Sequence, residues 1–461
     1  MIRISKYNGQ NCALIFFLLC LLCTGQYLGI SAVNLGLTIL IVGVACFASP
    51  DDLFVIMYAT LPLYNIINYR VGTYSMHYLI IGLFVLKYMF HEKISAYKLL
   101  IFLLLFTIRL FAADFVLLIS WSLLVLPLIL TLDSPIWKTT IGRIVFWMNM
   151  SMLLSCLAGY LMMITNRTIY THAYLYISGV QTIRFAGLSG DSVVFGQSCA
   201  LIIAINLVYC FFNSEKKRFY VVSSALLAMA ALLAYSKMAL LCMLLVFVLF
   251  LALYAKEYSA SRKQILKAVI VAGLLLFLSM AVVLALINYS GSSALILGYI
   301  DRFTREDLST GRFSLWGVYL EMLVSKLRYL FLPMTSEALS APVWNPSTGS
   351  YVTYVHSLYL ETIAAFGWCA SILIFFWIGR KVYVHFMRRR SWIFLLPIFV
   401  LLFMGFGSHG NFEYQFYLQF ALALSFLNRE VECALLNMRD VNMKNSVAIN
   451  SQAISSKLKL T

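Results

Sequence analysis

Apolar runs of 15 to 20 residues recur from Cys12 to Leu427, separated by short polar segments. A hydrocarbon layer of about 30 Å crossed at about 1.5 Å per residue imposes that spacing on a chain. The runs predict spans near 12–30, 33–48, 53–67, 74–90, 98–111, 115–132, 144–164, 192–212, 219–235, 238–255, 268–288, 357–378, 393–409 and 413–427. Several are short for a full crossing, and 98–111 with 115–132 also reads as one long broken helix. The pattern therefore predicts an all-α, polytopic integral membrane protein of about fourteen transmembrane helices, a single membrane domain over 1–461.

Composition sharpens this picture. The chain is 62% hydrophobic and only 11% charged, whereas soluble domains carry about 25% charged residues. No segment is left for a separate soluble domain. The net charge of +16 would suggest nucleic acid in a soluble protein. Here Lys and Arg sit in short loops between apolar runs, and the positive-inside rule accounts for them without nucleic acid. With the N-terminus inside, cytoplasmic segments carry more than twice as many Lys and Arg as outer ones, which places both termini in the cytoplasm. The stretch 1–11 with Arg3 and Lys6 resembles a signal-peptide head, but the long run 12–30 lacks a small-x-small cleavage site and reads as an uncleaved first span. Apart from Cys433, the ten cysteines lie in apolar runs, Cys20 and Cys23 included, and read as small apolar residues rather than disulfides. Residues 428–461 form a polar cytoplasmic tail, disordered in part toward its end.

Two outer loops stand out by length, 165–191 and 289–355. Long loops without regular structure usually carry function. The first ends Arg184-Phe185-Ala186-Gly187-Leu188-Ser189-Gly190-Asp191-Ser192. Asp191 or Ser192 is a natural N-cap for the following span, and the unpaired N–H groups of such a helix start suit an anion, with Arg184 beside them. An arginine at that depth also suits lipid headgroups.

The second loop holds an amphipathic helix near 311–328, with Phe313, Trp316, Leu320, Leu323 and Leu327 on one stripe. Thr310 is the expected N-cap, and Arg312 then lies in the first turn, where the helix dipole disfavours a cation unless an anion is bound. Arg184 and Arg312 together offer planar, bidentate donors to a pyrophosphate. Arg302 and Arg305 are further candidates for substrate binding, with Asp301, Glu306 and Asp307 nearby to offset them.

The second loop ends Val355-His356-Ser357-Leu358-Tyr359-Leu360-Glu361 as it enters a span. His356 at the membrane boundary can orient or deprotonate a hydroxyl near neutral pH. Glu361 is an intramembrane carboxylate, a functional candidate by position. At i+5 it does not share a helix face with His356, whereas Tyr359 at i+3 does. His409 and Glu413 border the same side, and Lys87, Arg109 and Asp114 are costly charges expected to pair with one another or line a cavity. The six histidines are scattered, with no metal-ligand spacing and no phosphate-binding glycine loop.

Arg184-Phe185-Ala186-Gly187-Leu188 before a span, Thr310-Gly311-Arg312 with Trp316, and His356-Ser357-Leu358-Tyr359-Leu360-Glu361 with Gly367 resemble the bacterial O-antigen polymerase/ligase superfamily. In order and placement the chain looks most like a Wzy-type O-antigen polymerase. It departs from the family after the amphipathic helix, where Pro333-Met334-Thr335-Ser336 lacks the closely spaced glycines. The resemblance implies a GT-C-related, metal-independent glycosyltransferase of the bacterial inner membrane without a cofactor. Its substrates would be undecaprenyl-pyrophosphate-linked glycans, in contact with membrane lipid, and its partners a chain-length regulator and a repeat-unit flippase. Carried over residue by residue, Arg184 and Arg312 would engage the pyrophosphate and His356 would be the functional histidine, with Arg302, Arg305, Tyr359, Glu361 and Asp191 around the substrate. Two other readings stand beside this one: an O-antigen ligase that moves glycan to lipid A–core, and a lipid-linked oligosaccharide flippase. The flippase reading asks for internal repeats and charges deep in the spans, which the chain does not display clearly.

Overall fold

The computed structural model describes residues 10–67, 70–71, 74–111, 115–165, 172–177, 180–212, 216–258, 311–335, 337–338, 341–346, 349–352, 355–388, 391–407 and 414–437. The expected span 268–288, Arg302, Arg305, Thr310, Asp114, His409, Glu413 and the tail beyond 437 lie outside the described residues.

Among the described residues the chain is all-α apart from three two-stranded antiparallel ribbons. Its helices are α1 Gln10–Leu28, α2 Ser31–Phe47, α3 Pro50–Thr60, α4 Tyr64–Ile67, α5 Met76–His91, α6 Ala96–Leu110, α7 Phe115–Thr131, α8 Ile136–Ile164, α9 Ser192–Phe212, α10 Lys217–Leu233, α11 Lys237–Tyr258, α12 Arg312–Ser325, α13 Leu358–Met387, α14 Leu396–Met404 and α15 Tyr414–Ser425. The ribbons are β1 Arg70–Val71 with β2 Tyr74–Ser75, β3 His172–Ile177 with β4 Val180–Phe185, and β5 Val343–Asn345 with β6 Ser350–Val352. Among the described residues, Gln10–Leu28, Ile136–Ile164, Ser192–Phe212, Lys237–Lys256 and Leu358–Met387 are long and apolar enough to cross a membrane, and five shorter apolar helices accompany them. Phe47, Phe90, Leu100 and Phe376 stand largely exposed on the outside of the bundle. Such a surface fits a hydrocarbon solvent, and the chain is a multi-pass membrane protein.

Several boundaries differ from the hydrophobic pattern for identifiable reasons. The run 53–67 does not form one helix: Pro62 sits in a 3-10 turn, Leu61–Leu63, between α3 and α4. Likewise Pro397 follows a 3-10 turn, Trp392–Leu395, at the start of α14. The runs 98–111 and 115–132 are two helices, α6 and α7, packed on each other. The tail begins as a folded piece, since residues 429–437 are helical and bury Val431 and Leu435.

The two ends of the bundle differ chemically. At the end opposite the two long loops, Lys138 pairs with Glu430 at 3.1 Å, Lys381 with Asp133 at 2.5 Å, and Arg143 with the buried Asp52. Asp52 also accepts from Asn11 Nδ2 at 3.1 Å, and Ser49 caps α3 by accepting the Asp52 N–H at 3.1 Å. Lys87 turns to backbone carbonyls and not to Arg109. Its Nζ donates to the Cys46 and Ala48 carbonyls at 2.6 and 2.7 Å, a cation at the C-terminus of α2.

α13 is broken at Gly367, whose φ of 78° and ψ of 167° lie outside the helical range. A Cβ there would stand 3.1 Å from the Phe331 carbonyl carbon and 3.2 Å from the Leu332 nitrogen. Only glycine admits both this conformation and this approach. The carbonyls freed by the break are taken up individually: Thr362 O by Ser371 Oγ at 2.9 Å, Ala364 O by the Met334 N–H at 2.8 Å, and Ala365 O by Arg109 Nη1 at 3.5 Å. Arg109, which closes α6 and lies 5.9 Å above the Trp121 ring, is thus a cation at a half-helix C-terminus.

Replacing one member of a buried ion pair leaves the other uncompensated. Arg143→Ala is expected to cost about 3–5 kcal/mol, read as a lower Tm of the detergent-solubilised protein, and Arg143→Ala/Asp52→Ala should recover part of the loss.

Candidate functional site

At the end of the bundle that carries the long loops, the chain turns sharply between β4 and α9. The turn Ala186–Gly190 uses positive φ at Gly187 (57°) and Gly190 (81°). It is fixed from three sides. Ser155 Oγ of α8 accepts the Leu188 N–H at 3.0 Å, Asn65 Nδ2 donates to the Ser189 carbonyl, and Ser189 Oγ bridges Ala186 O and Asp191 O at 2.8 and 3.0 Å. Gly159 lets α8 approach so closely that a Cβ would meet the Gly187 carbonyl at 2.7 Å. Phe185 and Phe195 pack edge to face at 5.3 Å beneath.

Asp191 is the N-cap of α9, as the sequence suggests: its Oδ1 accepts the Val193 and Val194 N–H groups at 2.6 and 3.1 Å. This corrects the expectation that the helix start is open to a ligand anion, because the carboxylate of Asp191 already fills that role. Arg184 turns elsewhere. Its Nε donates to the Ala234 carbonyl at 3.2 Å, at the C-terminus of α10.

Ala234 opens a three-residue connection into α11. Tyr235 takes a positive φ of 50°, Ser236 Oγ accepts the Ala239 N–H at 3.3 Å, and the buried Lys237 begins the helix. Met238 then packs against Gly407, where a Cβ would meet its Cγ at 2.8 Å and Arg312 Nη1 at 2.7 Å. Arg312 Nη1 donates to the Gly407 carbonyl at 3.4 Å. Arg184 and Arg312, from two separate loops, therefore flank the same short connection.

The strip Gly405–Gly407 also receives the end of the second loop. The Leu358 N–H donates to Gly405 O at 2.8 Å, and a Cβ on Gly405 would meet the Leu358 side chain at 3.0 Å. Ser357 is the N-cap of α13, its hydroxyl accepting the Leu360 N–H at 3.5 Å. His356 precedes the cap with φ of 54°, a conformation few residues other than glycine adopt. Because His356 lies before the helix, the i+3 relation to Tyr359 does not hold. The Tyr359 hydroxyl donates to Leu402 O and its ring packs on Phe406 at 4.8 Å.

α12 also differs from its helical-wheel reading. Gly311, with φ of 76°, is its N-cap, and no side chain caps it. The face turned inward is Leu315, Tyr319 and Leu323, while Phe313, Leu320 and Leu327 are exposed, the last beyond the helix in a 3-10 turn. The helix carries two apolar stripes, and the one i, i+4, i+8 stripe meets Val343, Val355 and the start of α13. Asn345 of β5 ties the N-terminus down, Nδ2 donating to Gly311 O at 3.0 Å and Oδ1 accepting from Ser314 Oγ at 2.8 Å. Trp316 Nε1 donates to Val355 O at 3.1 Å, next to His356.

Glu361 is buried in the first turn of α13 and lies within electrostatic reach of the Tyr319 hydroxyl. Burial, and secondarily Glu361, push the Tyr319 hydroxyl up to about 12. Sequence reasoning missed Tyr319, the 234–238 connection and Gly407. The spacing Gly405-x-Gly407 at the end of an apolar run is the one signal that points to a close approach there. No protein-family model matches the chain, and neither a curated protein nor a solved structure matches it.

The Tyr319 hydroxyl is buried without a hydrogen-bond partner among the described residues. Tyr319→Phe is therefore expected to gain about 1 kcal/mol. An unfolded tyrosine ionises near 10, so the wild type should lose stability as pH rises from there to about 12. The variant should show a smaller loss over that range in thermal unfolding.

Proposed function

We propose that this protein polymerises undecaprenyl-pyrophosphate-linked oligosaccharide repeat units at the outer face of a bacterial inner membrane, as an O-antigen polymerase does. In this reading the chain has about fourteen spans, a GT-C-related architecture and both termini in the cytoplasm. The observation that carries it is that Arg184 is seated on Ala234 O while Arg312 is seated on Gly407 O, beside Met238, so that the two arginines flank the segment 234–238 at the end of the bundle where His356 also stands. Two guanidinium groups from independent loops favour a dianionic leaving group over a single headgroup phosphate. The ion pairs at the opposite end lie on segments read as cytoplasmic, which supports the same orientation.

The chemistry in this reading is a displacement at the anomeric carbon. The donor is a glycan on lipid pyrophosphate and the acceptor a single lipid-linked repeat unit. An acceptor hydroxyl attacks the anomeric carbon; the new C–O bond forms as the bond to the pyrophosphate oxygen breaks. His356 orients the hydroxyl and takes its proton, and the electron pair leaves with the lipid pyrophosphate. Arg184 and Arg312 stabilise the charge that develops there, in a site of low dielectric where such donors act most strongly. Nucleotide sugars are not expected outside the cytoplasm, so the lipid-linked bond supplies the driving force.

Arg312→Ala at equal protein level is expected to lower polymerisation by about 10²–10³, seen as lipopolysaccharide bearing one repeat unit in place of a ladder. A normal ladder in that strain contradicts the assignment. Deletion of the protein should likewise leave one-repeat-capped core; core bare of O-antigen would identify a ligase instead.

A further inference from the structure

After α12 the second loop turns back along the bundle and meets the break in α13. A Cβ on Gly367 would stand 3.1 Å from the Phe331 carbonyl carbon and 3.2 Å from the Leu332 nitrogen, and the Met334 N–H donates to Ala364 O at 2.8 Å. Two helices give the depth of this contact. Lys381 of α13 pairs with Asp133, and Lys98 of α6 lies within electrostatic reach of both. These charges mark the membrane boundary at the end opposite the long loops. Gly367 lies fourteen residues from Lys381 toward the loop end, about 21 Å at helical rise. Arg109, whose Nη1 donates to Ala365 O, lies eleven residues from Lys98 on α6, about 17 Å. A hydrocarbon layer of about 30 Å continues for roughly 10 Å past that level. Tilt of either helix lowers the break further. Phe331 and Leu332 touch the break, so they lie within the apolar layer.

The chemistry of the segment suits that depth. Tyr329-Leu330-Phe331-Leu332-Pro333-Met334 carries no charge. Tyr329 and Met334 are buried with Leu323, Ile363 and Ala364. Leu327, Leu330, Phe331 and Leu332 are exposed, Leu327 at 80% and Phe331 at 68%. From Tyr329 to Met334 the turn is therefore apolar on both sides and has no face for water. Irregular backbone persists in hydrocarbon only where its polar groups are satisfied within the protein. Here the Tyr329 N–H donates to Lys326 O at 3.0 Å, and the Phe331 and Leu332 N–H groups donate to Arg328 O at 3.2 and 2.9 Å. Pro333 has no N–H to satisfy. The cations of the segment, Lys326 and Arg328, are at its start and exposed.

We propose that residues 326–334 form a re-entrant turn, which seats Leu327, Leu330, Phe331 and Leu332 among the acyl chains of the leaflet on the long-loop side, with Lys326 and Arg328 reaching back to its phosphates. The turn goes beyond the reaction proposed above and does not depend on it. Lipid is the partner, because four exposed side chains are far fewer than the roughly 20–30 residues a side of a stable protein interface. The turn pins the end of α12 at the membrane, and with it the helix that Arg312 begins.

A nitroxide carried by Phe331→p-acetylphenylalanine tests this in the full-length protein, held in nanodiscs of phosphatidylethanolamine and phosphatidylglycerol. The ratio of oxygen to nickel-chelate collision rates should match that of the same label at Leu373, an exposed residue of α13, and far exceed that at Glu430 of the exposed ion pair with Lys138. A ratio like that at Glu430 would put the segment in water and overturn the proposal. Low collision rates with both reagents would mean that protein covers the segment, and would overturn it as well. Should the variant at 331 fail to fold, the label at Leu327 is read in the same way, with the same outcomes.

Discussion

The close backbone approach at Gly405-Phe406-Gly407 is the contact on which the loop end of the protein depends. Three segments remote in sequence meet there: Arg312 and Met238 against Gly407, and Leu358 hydrogen-bonded to Gly405. A side chain at Gly407 would occupy the space of the Arg312 guanidinium, and one at Gly405 would press on Leu358. With that strip in place, the second loop is held at both of its described ends, by Arg312 and by the His356–Leu358 entry to α13. Arg184 reaches the same region indirectly, through the C-terminus of α10 and the short connection into α11. Each arginine is seated on a backbone carbonyl, Arg184 on Ala234 O at the C-terminus of α10 and Arg312 on Gly407 O.

The membrane imposes a second constraint. A helix that breaks within the apolar layer must find new partners for its backbone. Beside Gly367 the Thr362, Ala364 and Ala365 carbonyls have identifiable donors, and two of these come from outside α13: Met334 from the second loop and Arg109 from α6. The break therefore joins the loop to the bundle. It also gives Arg109, Met334 and Gly367 their roles without reference to chemistry, and it places Met334 against α13.

The hydrophobic period was enough to read an all-α membrane bundle. The 192–212 run is α9 to the residue, because its limits are a capping aspartate and a polar loop, both local signals. The runs 53–67 and 393–409 were legible as apolar but not as broken, since a single proline ends a helix without altering mean hydropathy. The inner face of α12 was misread for a related reason: two apolar stripes share that helix, and only packing against Val343 and Val355 decides between them. Arg184, Arg312 and His356 were legible as candidates from their places at loop ends. That the first two flank one connection was not, because it depends on contacts between residues far apart in sequence. Tyr319 and Gly407 became visible only through what they touch.

The central claim is that Arg184 and Arg312 act on one anion. A double-mutant cycle on polyprenyl diphosphate binding, with Arg184→Ala, Arg312→Ala and both, tests it most directly. The account predicts that the double variant loses clearly less than the two single losses added together, with a coupling of about 0.5–3 kcal/mol. Losses that simply add would mean that the two arginines serve separate ligands, and would contradict it.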